Sequence, residues 1–270
     1  MSIKSAVKQA YYGYRKMTSS LRSLPDFLII GTQKGGTTSL YSYLSYHPRV
    51  REAYSKEVHY FDNQYKNGQS WYRANFPYHT RKLVTGESSP YYLYHPHVPE
   101  RVYKAVPKCK PIVLLRNPVE RAYSHYNMGN RVVSGPRESF EEAISLEESR
   151  IREDWNKMVD NPSLSLPNVQ DYSYLDRGNY LEQILRWEKY FPREQFLILP
   201  SEQFFQDPQE VTRITWEFLG LRPVGLTDLP VRNQGAYKSS ILPETKERLT
   251  AHFAPKNQAL FNHLGQSFDW

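Results

Sequence analysis

An apolar run, Phe27-Leu28-Ile29-Ile30, that stops at Gly31 and opens into Thr32-Gln33-Lys34-Gly35-Gly36-Thr37-Thr38-Ser39 leaves this chain few folds to choose from. Such a short, continuous run reads as a strand buried on both faces, as in parallel sheets. Leu40, Tyr43 and Leu44 then recur at helical spacing until His47-Pro48 breaks the pattern. The segment is therefore strand, glycine-rich turn, helix, the front half of a βαβ unit. Further strands are expected over Lys82–Gly86, Pro111–Leu115 and Gln195–Leu199. Helices are expected near His97–Val106, from Pro118 through Tyr126, over Ser139–Ile151, over Tyr180–Trp187, and from Asp207-Pro208 to Gly220. The stretch Asn161–Ser173 reads as a mobile loop, and the tail Pro243–Trp270 as two short helices parted at Pro255. Strands alternating with helices predict an α/β fold of three layers, with a central, mostly parallel sheet flanked by helices.

The 270 residues suffice for one such domain over 25–270, preceded by a basic helical extension over residues 1–24. That extension carries Lys4, Lys8, Arg15, Lys16 and Arg22, with no apolar run long enough for a signal peptide or a membrane span. An ordinary surface helix is the reading preferred over a helix lying on a membrane. Cys109 is the only cysteine, which excludes an intramolecular disulfide and a cysteine-built zinc site and points to a reducing, cytoplasmic setting. A net charge of +7 favours anionic partners, among them nucleotides, sulfated glycans and nucleic acids.

The turn from Gly31 to Ser39 lies where ligands of open α/β sheets bind. First-turn N–H groups, the helix dipole and two hydroxyls of the run Thr37-Thr38-Ser39 point at one anion, and Gly35 and Gly36 let it approach. A kinase-type P-loop needs lysine directly before the hydroxyl residue that holds magnesium. Thr37 stands in that place and the lysine comes earlier, at Lys34.

A second cluster, Leu115-Arg116-Asn117-Pro118-Val119-Glu120-Arg121-Ala122-Tyr123-Ser124, again leads from a strand into a helix. Arg116 with Ser124 suits a separate phosphate. On residue type alone, an arginine that caps the helix or pairs with a carboxylate suits the same position. Between the two clusters, Lys56-Glu57-Val58-His59 sets a carboxylate, an imidazole and a cation side by side, a pattern open to a general base or to an ordinary surface segment. Tyr54, Tyr60, Trp71, Tyr72, Tyr91, Tyr92 and Tyr94 suit stacking on sugar or adenine as well as core packing.

Taken in order, these clusters resemble the PAPS-dependent sulfotransferase superfamily, specifically its carbohydrate branch with the heparan sulfate O- and N-sulfotransferases. The resemblance rests on Gln33–Thr38, Lys56–Asp62, Gly86-Glu87-Ser88-Ser89-Pro90-Tyr91-Tyr92, Arg116-Asn117-Pro118 with Arg121 and Ser124, Gly178-Asn179-Tyr180, and Phe268-Asp269-Trp270. It implies a P-loop-like fold and transfer of a sulfuryl group from 3′-phosphoadenosine 5′-phosphosulfate (PAPS) to a hydroxyl or amine of a carbohydrate. By the same likeness the Lys34 loop with Gly35 to Ser39 binds the 5′-phosphosulfate, Arg116 and Ser124 hold the 3′-phosphate, Glu57 is the base, and His59 orients or binds the acceptor. Neither a metal nor a nucleic-acid partner is expected.

Two departures mark this chain. Ser88 stands where heparan sulfate enzymes commonly carry lysine, and the family's late cysteine pair around a Lys-Gly-Arg loop is absent. Asn233–Ser240 occupies about the place of that loop, with Lys238 as its candidate PAPS-binding cation. The rival readings are a P-loop nucleotide kinase, which requires ATP and magnesium, and a non-catalytic nucleic-acid-binding module, which requires steep salt dependence.

Overall fold

Alternate residues of the first strand enter different apolar clusters: Leu28 and Ile30 face one, Phe27 and Ile29 the other. Successive strand side chains point to opposite faces, so both faces of this strand are covered, as its unbroken apolar run requires. The same division separates Val113 and Leu115 from Ile112 and Leu114.

The computed structural model describes residues 3–129, 138–226 and 240–270. Along the first half run α1 (Ile3–Met17), β1 (Phe27–Gly31), α2 (Thr37–Leu44), β2 (Val50–Glu52), α3 (Gly68–Arg73), β3 (Val84–Ser88), α4 (Val98–Ala105), β4 (Lys110–Leu115) and α5 (Pro118–Gly129). They are followed by α6 (Phe140–Ser145), α7 (Glu147–Asp160), α8 (Pro167–Tyr172), α9 (Tyr180–Glu188), β5 (Leu197–Pro200), α10 (Ser201–Gln206), α11 (Pro208–Phe218) and α12 (Pro243–Leu264). The five strands form one sheet in the order β2-β3-β1-β4-β5, with every pairing parallel. Helices α2 and α11 cover one face through Leu40, Leu44 and Trp216. Helices α4, α9 and α12 cover the other through Val102, Trp187 and Leu260. The expected three-layer α/β fold is therefore the observed one.

From β1 the chain crosses to the edge strand β2, returns to β3 beside β1, and then passes to β4 and β5 on the other side. The strand order thus switches at β1. In open α/β sheets a crevice forms at such a switch, beyond the carboxyl ends of the strands.

Several elements differ from the sequence expectation. The helix read over Ser139–Ile151 divides at Leu146; α6 opens with a capping box between Ser139 and Glu142, and α7 runs on to Asp160. The break turns Glu147 inward, where its carboxylate accepts the N–H groups of Leu175 and Asp176 at 2.7 and 2.8 Å. The supposed loop Asn161–Ser173 contains α8, held down by buried Val169 beside Ile151 and Met158. The tail is one helix, not two, because Leu249 and Phe253 before Pro255 and Leu260 after it are all buried. Their burial outweighs the roughly 3 kcal/mol that an interior proline costs. Strand β2 was not anticipated, its three residues being too few to show a period.

Candidate active site

Four strand ends supply the site. The glycine-rich turn follows β1, the segment Ala53–Asp62 follows β2, Glu87 to Ser89 close β3, and Arg116-Asn117 follow β4. Sequence order scatters these pieces, and the parallel sheet returns them to one edge.

The turn after β1 is built from below by packing. Its backbone is tied by Thr32 N–H to Leu114 O (2.8 Å) and Gly35 N–H to Thr32 O (2.9 Å). A Cβ on Gly35 would stand 2.7 Å from the Leu114 carbonyl, so glycine is demanded by the neighbouring strand. Gly36, with φ of 93°, caps α2 in the left-handed region. It has no side chain to cap the first turn: the N–H groups of Ser39 and Leu40 turn back to Gly36 O at 3.0 and 3.1 Å, and those of Thr37 and Thr38 have no partner among the described residues. Lys34 also has positive φ, at 74°.

Cations gather behind this turn. Arg116 Nη1 donates to Lys34 O at 3.1 Å, which joins the β1 and β4 turns, and among the described residues no carboxylate pairs with its guanidinium. Asn117 Oδ1 caps α5 by accepting from Val119 N and Glu120 N at 3.0 and 3.3 Å. Asn117 N donates to Glu202, whose other carboxylate oxygen accepts from Trp270 Nε1 at 3.0 Å. The closing Phe268-Asp269-Trp270 motif thus returns to the β4 turn. Arg121 is fully buried, and its Nε and Nη1 have no hydrogen-bond partner among the described residues. Burial pushes its guanidinium down to about 10. His125 lies well below the usual imidazole range because it is buried and faces the charges of Arg177, Arg121 and Lys34. Ser124 is buried on α5 beyond Arg116. Lys238 lies outside the described residues.

The segment after β2 is neither a strand nor an ordinary loop. Glu57 and His59 have φ of 55° and 51°; with Lys34 they are the non-glycine residues of positive φ among the described residues. Side chains disfavour that region, and such strain persists where the surroundings over-determine the backbone. Here the determinant is Glu87. It is fully buried and accepts from Tyr72 OH (2.8 Å), Tyr92 OH (3.0 Å), Ser89 Oγ (2.7 Å) and Val58 N (3.2 Å). Ser89 Oγ in turn accepts from His59 N at 3.1 Å. Burial raises the Glu87 carboxyl, opposed by the hydroxyl bonds of Ser89, Tyr72 and Tyr92. Sequence reasoning placed Glu87 only within the family likeness. Its signal was a carboxylate at the end of an apolar strand, with tyrosines at Tyr91 and Tyr92.

The titratable groups of this segment form a chain. Lys56 Nζ lies 2.7 Å from Thr38 Oγ1 and 3.7 Å from Glu57 Oε1, bridging the phosphate turn and the carboxylate. His59 Nε2 is 3.4 Å from Glu57 and its Nδ1 is 2.7 Å from Asp62, whose side chain is fully buried while that of Glu57 is 40 % exposed. Burial alone would raise the Glu57 carboxyl, but the hydrogen bond from His59 and the charges of Lys56 and His59 hold it below its ordinary value. Burial would likewise lower His59; bonds to Asp62 and Glu57 prevail and push it up to about 10. At neutral pH the pair is carboxylate and imidazolium, so Glu57 is the group able to accept a proton.

Arg177 was missed by sequence reasoning, although it directly precedes Gly178-Asn179-Tyr180. Buried between Tyr91 and Tyr94, it reaches Gln33 of the phosphate turn through Nη1 and Gln170 O through Nη2 at 2.6 Å. Gln170 in turn accepts from Asn63 Nδ2 at 3.2 Å, which brings α8 against the Glu57 segment. Tyr60, Tyr72, Tyr91, Tyr92 and Tyr94 are buried, so they pack or hold partners and do not offer their faces to a sugar or adenine. Ser88 is also fully buried, with Oγ unpartnered among the described residues.

A family model described as "Sulfotransferase domain" matches residues 24–270. Mouse heparan sulfate glucosamine 3-O-sulfotransferase 5 is 28% identical over 273 residues, covering 93% of this chain and 75% of that protein. Mouse heparan sulfate glucosamine 3-O-sulfotransferase 6 is 31% identical over 274 residues, covering 92% and 74%. Among solved structures, a sulfotransferase from Alicyclobacillus acidocaldarius is 30% identical, with a TM-score of 0.76, and covers 91% of this chain and 98% of that one.

Proposed function

The chain belongs to the sulfotransferase domain family, and from that premise we propose that it moves a sulfuryl group from PAPS to a hydroxyl or amine of a carbohydrate, with Glu57 as base. The carbohydrate acceptor is supported by relatives named for 3-O-sulfation of heparan sulfate glucosamine. One observation carries the assignment of the base: the Lys56 ammonium stands between the Thr38 hydroxyl and the Glu57 carboxylate, which sets a proton acceptor beside the phosphate turn.

The turn fits an anionic nucleotide. Gly36 supplies no side-chain cap to α2, Lys34 and Arg116 flank the Thr37 and Thr38 amides, and Arg121, which donates to Tyr174 O through Nη2, keeps Nε and Nη1 without a partner among the described residues. A buried, unpaired cation is costly, and an anion nearby offsets that cost. When bound, PAPS supplies the sulfuryl group, its S–O bond to the 5′-phosphate breaking with the electron pair left on that phosphate as the acceptor oxygen bonds to sulfur. Within the Gly35 to Ser39 turn, the Gly36, Thr37 and Thr38 amides, with Lys34, stabilise that charge, since the Gly35 and Ser39 amides are bonded to Thr32 O and Gly36 O. Glu57 accepts the acceptor proton as the bond forms. His59, held up to about 10 by its bonds to Asp62 and Glu57, orients the carboxylate. Arg116 and Ser124 hold the 3′-phosphate.

Residues 25–270 form the transferase domain in this reading and residues 1–24 an extension to it. The buried, solitary Cys109 supports a reducing, cytoplasmic setting. Among the described residues no helix is long and apolar enough to cross a membrane.

Transfer of labelled sulfate from PAPS to a panel of glycans, phenols, lipids and alcohols tests the proposal. Glycan labelling is the expected result; labelling of another class overturns the acceptor, and no labelling of any class overturns the reaction.

A further inference from the structure

The outer face of α1 belongs to no part of the site above. Val7, Tyr11, Tyr14 and Met17 are 62, 47, 52 and 85 % exposed, and Leu21 beyond the helix is 63 % exposed. Val7, Tyr11 and Tyr14 recur at i, i+4 and i+7 and so share one side. A different side attaches the helix to the domain: Tyr12 OH donates to Trp71 O at 2.9 Å, and Arg15 donates to Ala74 O and Phe76 O at 2.6 and 2.9 Å. Tyr78, 44 % exposed, extends the outer patch through a 2.8 Å hydroxyl contact with Tyr14, and His79 N donates to Leu21 O at 2.9 Å.

Charge tells what this patch can meet. Residues 3–24 and 78–82 contain Lys4, Lys8, Arg15, Lys16, Arg22, Arg81 and Lys82 and no aspartate or glutamate. Lys16, Arg81 and Lys82 are exposed. Exposed apolar side chains joined by tyrosines and bordered by cations form the surface that a helix lying in a lipid interface presents. A protein partner fits less well, since lysine is depleted from the cores of protein interfaces.

We propose that the outer face of α1, with Leu21 and Tyr78, docks on a bilayer carrying anionic headgroups. Val7, Met17 and Leu21 enter the acyl boundary, the tyrosine hydroxyls stay at headgroup level, and Lys16, Arg81 and Lys82 meet lipid phosphates. One residue of this face, Tyr11, has its ring 5.7 Å from that of Tyr54, shortly before Lys56.

The test is co-sedimentation of the full chain with vesicles of phosphatidylcholine alone or mixed with phosphatidylglycerol. Binding is expected to be roughly tenfold stronger to the mixed vesicles and to fall with added salt. The variant V7S/M17S/L21S is expected to lose roughly tenfold or more of that binding, with its circular dichroism and melting temperature unchanged. K16E/K82E is expected to lose the preference for phosphatidylglycerol. No sedimentation with mixed vesicles, or equal binding by wild type and V7S/M17S/L21S, overturns the proposal. So does a lipid-free dimer that the triple substitution dissolves in a protein that ignores vesicles, which assigns the face to a second copy. These readouts do not use sulfate transfer, so they fail or succeed separately from the proposed reaction.

Discussion

Arg116 donates from Nη1 to the backbone carbonyl of Lys34 at 3.1 Å, so two turns 82 residues apart in the chain meet at the carboxyl edge of the sheet. That bond ties the positive-φ backbone of Lys34 to the β4 turn, and a planar fork that makes it still has further donors for an anion, which a single ammonium matches less well.

Arg116→Ala is therefore expected to weaken binding of adenosine 3′,5′-bisphosphate by about tenfold to a hundredfold, the worth of a charge-assisted hydrogen bond. Arg116→Lys recovers only part of the loss. Titration calorimetry measures both, and unchanged affinity in the alanine variant removes Arg116 from the nucleotide site.

Glu57→Gln keeps the shape of the side chain and removes its basicity. Turnover is expected to fall by about 10²–10⁴-fold, with nucleotide affinity retained. Single-turnover sulfate transfer beside calorimetry separates the two quantities, and near-wild-type turnover excludes Glu57 as base.

Glu87 touches the catalytic segment from beneath. Glu87→Ala leaves the Tyr72 and Tyr92 hydroxyls and Val58 N–H buried without an acceptor, at a cost of about 1–3 kcal/mol for each group. A marked loss of stability by chemical denaturation is expected. Glu87→Gln, which keeps two acceptor sites on its carbonyl oxygen, is expected to fold and bind nucleotide while losing turnover as Glu57 and His59 relax. Full turnover in that variant contradicts a positioning role for Glu87.

The His59 imidazolium is held up to about 10, above its ordinary 6.5. Its contribution to stability is complete below pH 6.5 and disappears as pH rises through about 10. The melting temperature of the wild type should fall across that window more steeply than that of His59→Gln. Glu57 is shifted the other way and stays ionised, so the acid limb of the transfer rate lies below the ordinary carboxylate range. An acid limb near pH 6.5 would instead indicate a neutral imidazole acting as base.

Much of this was written in local sequence. The run Phe27 to Gly31 fixed a buried strand, and Asn117-Pro118 fixed the start of α5, because each depends on a few adjacent residues. What stayed hidden depends on distant partners. Glu87 acquires its role from tyrosines at Tyr72 and Tyr92 and an amide at Val58, while Arg177 acquires its role from Gln33. Pro255 suggested a break that burial on both sides of it overrides. The glycines at Gly35 and Gly36 were expected for ligand approach, and the nearest constraint on them is protein: the Leu114 carbonyl and the Phe205 ring.

The most direct test is a crystal structure with adenosine 3′,5′-bisphosphate bound. The account predicts the 5′-phosphate in the Gly35 to Ser39 turn, on the amides of Gly36 to Thr38 beside Lys34, the 3′-phosphate at Arg116 and Ser124, and Glu57 facing the vacant sulfuryl position. A nucleotide bound elsewhere, or one whose 3′-phosphate points away from Arg116, would contradict it.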